Sequence, residues 1–120
     1  MAGEFAACRL PSTAPVPAWA GSTVFSAVTR TADELSVICP SAQIPAGVKA
    51  ERAWRLLKLQ GPFAFGAVGI LASVTGPLAQ SGINLLAVAT FDTDYLLVKA
   101  GRLDDAVRSL EAAGHRVQRG

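Results

Sequence analysis

The chain has 120 residues, of which 51% are hydrophobic and only 17% carry a charge. This length allows a small compact domain with a real core and excludes most multidomain enzymes. The low charge and the high content of Ala, Val and Leu exclude a disordered chain. The net charge of +2 is spread along the sequence, so we expect no nucleic-acid partner.

Residues 59–91 contain no Asp, Glu, Lys, Arg or His, and this stretch is long enough to span a bilayer. Gly61-Pro62, Pro77 and Gly82 interrupt it, however, and divide it into a strand, a helix and a second strand. The N-terminus also lacks the basic start and apolar run of a signal peptide. We therefore expect no membrane association and a cytoplasmic location.

The first half of the chain reads as strands joined by short connections. Residues 4–10 are typical of a strand, and the three prolines that follow leave room only for a turn or a one-turn helix ending near Gly21. Residues 24–29 and 35–39 predict a hairpin. After Pro40 a single irregular turn is expected, and the helical layer of this half is thin.

The second half has clearer periodicity. Residues 67–81 predict a helix kinked at Pro77, and Leu103, Ala106, Val107, Leu110 and Ala113 predict an amphipathic helix that stops at Gly114. The expected order is a strand at 54–60, the first helix, strands at 83–91 and 94–99, the second helix and an edge strand at 115–118. This is the ferredoxin-like split βαβ pattern.

The two hairpins also share residues at an offset of 61. Thr29, Asp33, Leu35 and Val37 correspond to Thr90, Asp94, Leu96 and Val98, so the pattern Thr-x-x-x-Asp-x-Leu-x-Val occurs twice. Four matches can arise by chance among hairpins of similar composition. Because the offset is about half the chain, we favour a duplicated unit whose first copy has shortened helices, with units at 1–53 and 54–120.

No constellation of residues indicates catalysis. The single histidine, His115, lies near the C-terminus without a nucleophile pattern, and the acidic pairs lack metal-ligand spacing. Cys8 and Cys39 lack the CxxC spacing of a metal or redox site and are expected to be buried thiols. We therefore expect no enzyme activity, no metal site and no cofactor.

Two segments could hold a ligand. The loop at 61–69 precedes a helix, where free backbone N–H groups can receive a carboxylate, although close backbone packing explains its glycines equally well. The turn at 90–94 is acidic and follows the most apolar strand, so it could bind an amino group. Asp and Thr are also ordinary turn residues, and that alone accounts for such a turn in many proteins.

Residues 25–37, 69–79 and 89–98 resemble ACT-domain proteins, and among them the small bacterial tandem-ACT proteins similar to half of the CASTOR-type arginine sensors. The resemblance covers nearly the whole chain. The pair Thr90-Phe91, followed two residues later by Asp94 before an aliphatic strand, is its most specific motif. The resemblance implies an α+β, ferredoxin-like fold of two tandem βαββαβ units in one compact module.

The resemblance also implies a function and a site. The protein would be a non-catalytic amino-acid sensor whose ligand lies between the strand-to-helix loop of one unit and the second-strand turn of another. It would form a homodimer through the second unit. The alternative is a ligand-free dimerisation module. The implied ligand-binding residues are Gly66, Ala67, Val68, Gly69 and Ile70 in the loop and helix start, and Thr90, Phe91, Asp92, Thr93 and Asp94 in the turn.

Overall fold

The computed structural model describes residues 3–60 and 69–118. The chain divides into two compact units, one of Gly3–Trp54 and one that begins at Arg55. Both are rich in β-structure, and within the described ranges every α-helix belongs to the second unit, which gives a mixed α/β fold. No helix in these ranges is both apolar enough and long enough to cross a membrane.

The first unit is an antiparallel sheet of strands in the order β2-β3-β1-β4. One-turn 3₁₀ helices occupy the two connections where the sequence predicted short turns, at Ala18–Ala20 and Ser41–Gln43. Residues 3–54 contain no α-helix. The strands are β1 (Phe5–Leu10), β2 (Ala27–Arg30), β3 (Leu35–Pro40) and the first part of β4 (Ala50–Lys58).

Strict alternation fixes which face of β3 is buried. Leu35, Val37 and Cys39 are fully buried and pack with Cys8 of β1, while the residues between them are only half-buried. Both cysteines are free thiols. Burial raises the pKa of the Cys39 thiol to about 11, with a further contribution from neighbouring Cys8 that Arg52 partly opposes. The thiols therefore stay protonated at neutral pH.

Strand β4 begins four residues before the predicted start at residue 54. Phe5 faces Trp54 but Ala7 faces Glu51, so β4 carries one more residue than β1 at this point. Within this bulge Ala53 has φ +68°, a left-handed conformation that non-glycine residues rarely adopt. The extra residue breaks the alternation of apolar side chains. For this reason the first half of the strand was not predicted from the sequence pattern.

The second unit contains the remainder of β4, helix α1 (Ile70–Gln80), strands β5 (Leu85–Ala89) and β6 (Asp94–Lys99), and helix α2 (Leu103–Ala112). Its strand order is β4-β6-β5, with β5 and β6 antiparallel. Both helices and both strands of the hairpin occur where the sequence predicted them.

The helices of the second unit pack through a buried cluster. Leu78, Leu96, Val98 and Ala106 are fully buried, and Leu110 is nearly so. The two helices are also joined by hydroxyl groups: Ser109 Oγ donates to the Pro77 carbonyl at 3.0 Å, and Ser81 Oγ donates to Ser109 Oγ at 2.9 Å. A 3₁₀ turn, Ala100–Arg102, leads from β6 into α2.

The predicted edge strand at 115–118 is not a strand. Its side chains turn towards the helices instead, because Val117 packs on the core cluster and the His115 ring bonds to α1. The second unit therefore shows βαββα over the described residues, and the first unit shows strands without α-helices. The prediction of an edge strand at 115–118 was therefore wrong, whereas the lack of α-helices in the first unit agrees with the short turns that the sequence predicted there.

The two hairpins have the same loop length but a different offset from the one predicted. Arg30 faces Leu35 in the first hairpin, and Ala89 faces Asp94 in the second. Because Leu35 and Asp94 hold the same place in their hairpins, equivalent positions are about 59 residues apart rather than 61. This correction makes Thr31, and not Thr29, the counterpart of Thr90.

Candidate functional site

The β5–β6 turn is built on a threonine. The Thr90 amide donates to the Thr93 carbonyl at 2.9 Å, the Thr90 hydroxyl donates to the same carbonyl at 2.7 Å, and the Thr93 amide lies 3.3 Å from that hydroxyl. In the first unit Thr31 makes the same set of bonds with Glu34. The Thr90 hydroxyl thus donates its hydrogen bond within the turn and not to a ligand.

A second threonine fastens this turn to β4. Thr93 is only 7% exposed, and its hydroxyl donates to the Leu59 carbonyl at 2.8 Å. The Leu59 amide in turn donates to the Asp94 carbonyl at 3.0 Å. The predicted turn therefore lies beside the end of β4, where the predicted loop begins.

Of the remaining turn side chains, two are exposed and one is half-buried. Phe91 is 77% exposed, which is unusual for a phenylalanine, and Asp92 is exposed as well. Asp94 is half-buried, and among the described residues its carboxylate has no hydrogen-bond or ion-pair partner. Phe91, Asp92 and Asp94 are the turn side chains best placed to meet a ligand or another chain.

The start of α1 lacks a side-chain cap. Gly69 is the N-cap with φ +78°, so the helix has no side-chain cap, and no acidic residue lies in its first turn. The Ser73 hydroxyl donates to the Ile70 carbonyl at 2.6 Å and so does not cap these amides either. Backbone N–H groups at such a terminus favour negative charge. The predicted residues Gly66, Ala67 and Val68 lie outside the described part of the chain.

A cavity of about 870 Å³ lies within the second unit beside the start of α1. Its apolar lining includes Leu57, Leu59, Ile70, Val74, Leu96 and Leu110, and its polar lining includes Lys58, Ser73, His115 and Arg116. Of the predicted site residues in the described ranges, only Ile70 lines it. The contributions of β4 and of the C-terminal segment were not predicted from the sequence.

His115 forms a hydrogen bond to α1 that was not predicted from the sequence. Pro77 lies inside α1 and has no N–H, so the carbonyl four residues earlier, that of Ser73, loses its helical donor. His115 Nε2 lies 2.7 Å from that carbonyl oxygen and replaces the donor. This bond ties the C-terminal segment to α1 beside the cavity. The spacing of Pro77 and Ser73 was the available signal, but the partner could come only from tertiary structure.

We expect His115→Ala to lower the free energy of unfolding by about 1 kcal/mol, because it leaves the Ser73 carbonyl without a donor. In a Pro77→Ala background the cost should fall below half of that value, since alanine at this position supplies the missing N–H. Urea unfolding followed by circular dichroism, which reports α1 and α2, measures both differences. His115→Gln, which keeps a donor, is the control. An equal cost in the two backgrounds would contradict this role.

Groups of three or more metal-binding side chains do not occur within residues 3–60 and 69–118. On the exposed surface of α2, Asp105 forms ion pairs with Arg102 and Arg108, and these residues do not line the cavity. The described lining of the cavity offers apolar contact and cationic side chains.

Comparison with known proteins identifies the second unit. The family model for the ACT domain matches residues 49–112, and a second model, described as an N-terminal domain, matches residues 3–47. The human "Cytosolic arginine sensor for mTORC1 subunit 1" is 32% identical over 59 residues, which are 48% of this chain. The chain covers only 18% of the length of that sensor.

Two crystal structures share the fold. A protein from Agobacterium tumefaciens is 39% identical with a TM-score of 0.88, and the match covers 98% of this chain and 92% of that one. An aspartate kinase from Clostridium acetobutylicum has a TM-score of 0.65 at 11% identity, over 93% of this chain and 33% of that one. At that identity the kinase shows the likeness of fold alone.

Proposed function

Because this chain belongs to the ACT-domain family, we propose that it is a non-catalytic regulatory protein that binds a small molecule, an amino acid above all. The observation that carries the proposal is the cavity beside the uncapped start of α1. Similarity to a protein named as a cytosolic arginine sensor supports a sensing role and a cytoplasmic location. It does not identify the ligand.

The proposed site joins two parts of the second unit. Backbone amides at Gly69 and Ile70, together with those of Gly66, Ala67 and Val68, would receive the carboxylate of the ligand. Asp94 would accept its ammonium group, since this carboxylate is half-buried and has no partner among the described residues. The exposed Phe91, with Asp92, would border the ligand.

We also propose a homodimer formed through the second unit. Strand β5 ends the strand order, and its sequence, Leu-Leu-Ala-Val-Ala, is wholly apolar. An apolar edge strand is prone to pair with another chain, and a two-fold axis would let it pair with its own copy. In such a dimer the turn of one chain would complete the site of the other. A ligand-free dimerisation module is the second candidate, and the same edge strand favours it.

The tandem origin of the chain remains part of the proposal. Two features support it: the strand order β2-β3-β1-β4 of the first unit, which is that of a ferredoxin-like sheet, and the threonine turn that recurs in the second hairpin. We propose that residues 1–53 and 54–120 descend from two ACT-like units, of which the first has reduced both helices to 3₁₀ turns.

The test of function is a thermal-shift screen of the full chain against the twenty amino acids. A few of them should raise the melting temperature, and Asp94→Ala should remove that rise without changing the stability of the unliganded protein. Asp33→Ala, in the matching turn of the first unit, should leave the rise intact. If no amino acid has an effect, the ligand-free module is the better description.

A further inference from the structure

The charge of the cavity lining further restricts the chemical class of the ligand. The apolar side chains that line the cavity are Leu57, Leu59, Ile70, Val74, Leu96, Leu110 and Val117. The charged groups in the described lining are the cations Lys58 and Arg116, and no Asp or Glu is present. An interior of this kind gains free energy by burying an apolar group and has nothing to pair with a buried cation.

The sequence strengthens this point, because residues 59–91 contain no Asp, Glu, Lys, Arg or His. Lys58 and Arg116 are exposed, and neither has an ion-pair partner among the described residues. Two unpaired cations beside an uncapped helix terminus are complementary to an anion.

We propose that this cavity takes a small carboxylic acid with an apolar body, such as an aliphatic or aromatic amino acid or its 2-oxo acid, and disfavours basic amino acids. This inference rests on the proposed function, whose ligand class it specifies. The apolar body lies in the interior, and the carboxylate lies at the cations and at the start of α1. Where the ligand has an ammonium group, Asp94 is the acid that accepts it. Asp94 does not itself line the cavity, but its backbone carbonyl accepts from the amide of Leu59, which does.

A cationic side chain has no second acid to pair with, because Asp94 accepts the α-ammonium group and the described lining contains no Asp or Glu. The guanidinium of arginine or the ammonium of lysine, carried into the interior, would lie among leucine and valine side chains and near Lys58 or Arg116. Burying an unpaired charge costs far more than burying a methyl group gains. The structure thus favours a ligand different from the arginine in the name of the human relative.

The test is titration of the full chain with leucine, phenylalanine, 4-methyl-2-oxopentanoate, arginine and lysine, measured by calorimetry and thermal shift. Leucine or phenylalanine should bind about ten-fold more tightly than arginine and lysine, or better. Arginine or lysine binding as tightly as leucine would overturn the inference while leaving the proposed function intact. Binding of none of the five, together with a failed screen of the twenty amino acids, would overturn both.

Variants separate the parts of the site. Arg116→Ala and Lys58→Ala should each weaken leucine binding by about five-fold to ten-fold, since each removes a charge-assisted contact to the carboxylate. Lys49→Ala removes an exposed cation from the first unit and should leave the affinity unchanged. Asp94→Ala should weaken leucine but not 4-methyl-2-oxopentanoate, which has no ammonium group. Unchanged leucine affinity in both cation variants would overturn the placement of the carboxylate.

Discussion

Replacing Leu96 with alanine is expected to lower the free energy of unfolding of the second unit by about 3 kcal/mol. Leu96 is fully buried in β6 and belongs to the cluster that joins the strand to α1 and α2. Its removal leaves a void that the surrounding side chains cannot fill, because protein interiors are packed as densely as organic crystals. Urea unfolding followed by helical circular dichroism measures the loss.

Leu86→Ala is the matched control for this experiment. Leu86 lies on the paired strand β5, is only half-buried and does not belong to the core cluster. The same substitution there should cost less than about 1.5 kcal/mol, since less apolar area leaves water on folding. Leu96 also lines the cavity, so this residue belongs both to the hydrophobic core and to the cavity lining. Equal losses at the two leucines would contradict the assignment of Leu96 to the core.

The second large effect is expected at Thr93. Thr93→Val keeps the shape of the side chain but removes the hydroxyl that bonds to the Leu59 carbonyl. That carbonyl is then left without its donor beside a newly buried methyl group, which should cost about 2 kcal/mol. The effect should be larger than that of removing an exposed hydroxyl, because Thr93 is almost fully buried.

Two further measurements identify the cause. Thr93→Ser keeps the hydroxyl and should retain most of the stability. Hydrogen exchange at the Leu59 amide should quicken in Thr93→Val, since its bond to the Asp94 carbonyl belongs to the same junction. If serine and valine were equally destabilising, the lost hydroxyl bond would not be the cause of the effect.

The sequence pattern predicted most of the helices and strands, because the apolar residues in each of them recur at one constant spacing. Strand β6 occurs at Asp94–Lys99 as predicted, and α2 begins at Leu103, where the three-and-four spacing begins. Strand β4 was predicted too short because its bulge at Ala53 breaks the alternation. The segment at 115–118 resembles an edge strand in sequence, but its side chains have partners on α1 and in the core.

The site was harder to predict than the fold. The acidic turn was predicted from its composition. The sequence did not show that the Thr90 hydroxyl bonds to the Thr93 carbonyl, or that the Thr93 hydroxyl bonds to the Leu59 carbonyl. The cavity was not predicted, since its walls come from distant parts of the chain. The repeat was detected at an offset of 61 because matched residue types, rather than the lengths of the loops, determined the alignment.

The buried thiols of the first unit also make the molecule convenient for study. Reaction with a thiol-specific reagent requires both access and a thiolate, and burial together with a raised pKa denies both to Cys8 and Cys39 in the folded state. The rate of thiol labelling therefore reports how often residues 3–54 open. Helical dichroism reports the second unit, in which every described α-helix lies. The native chain thus carries a separate optical or chemical probe for each half, without any engineered label.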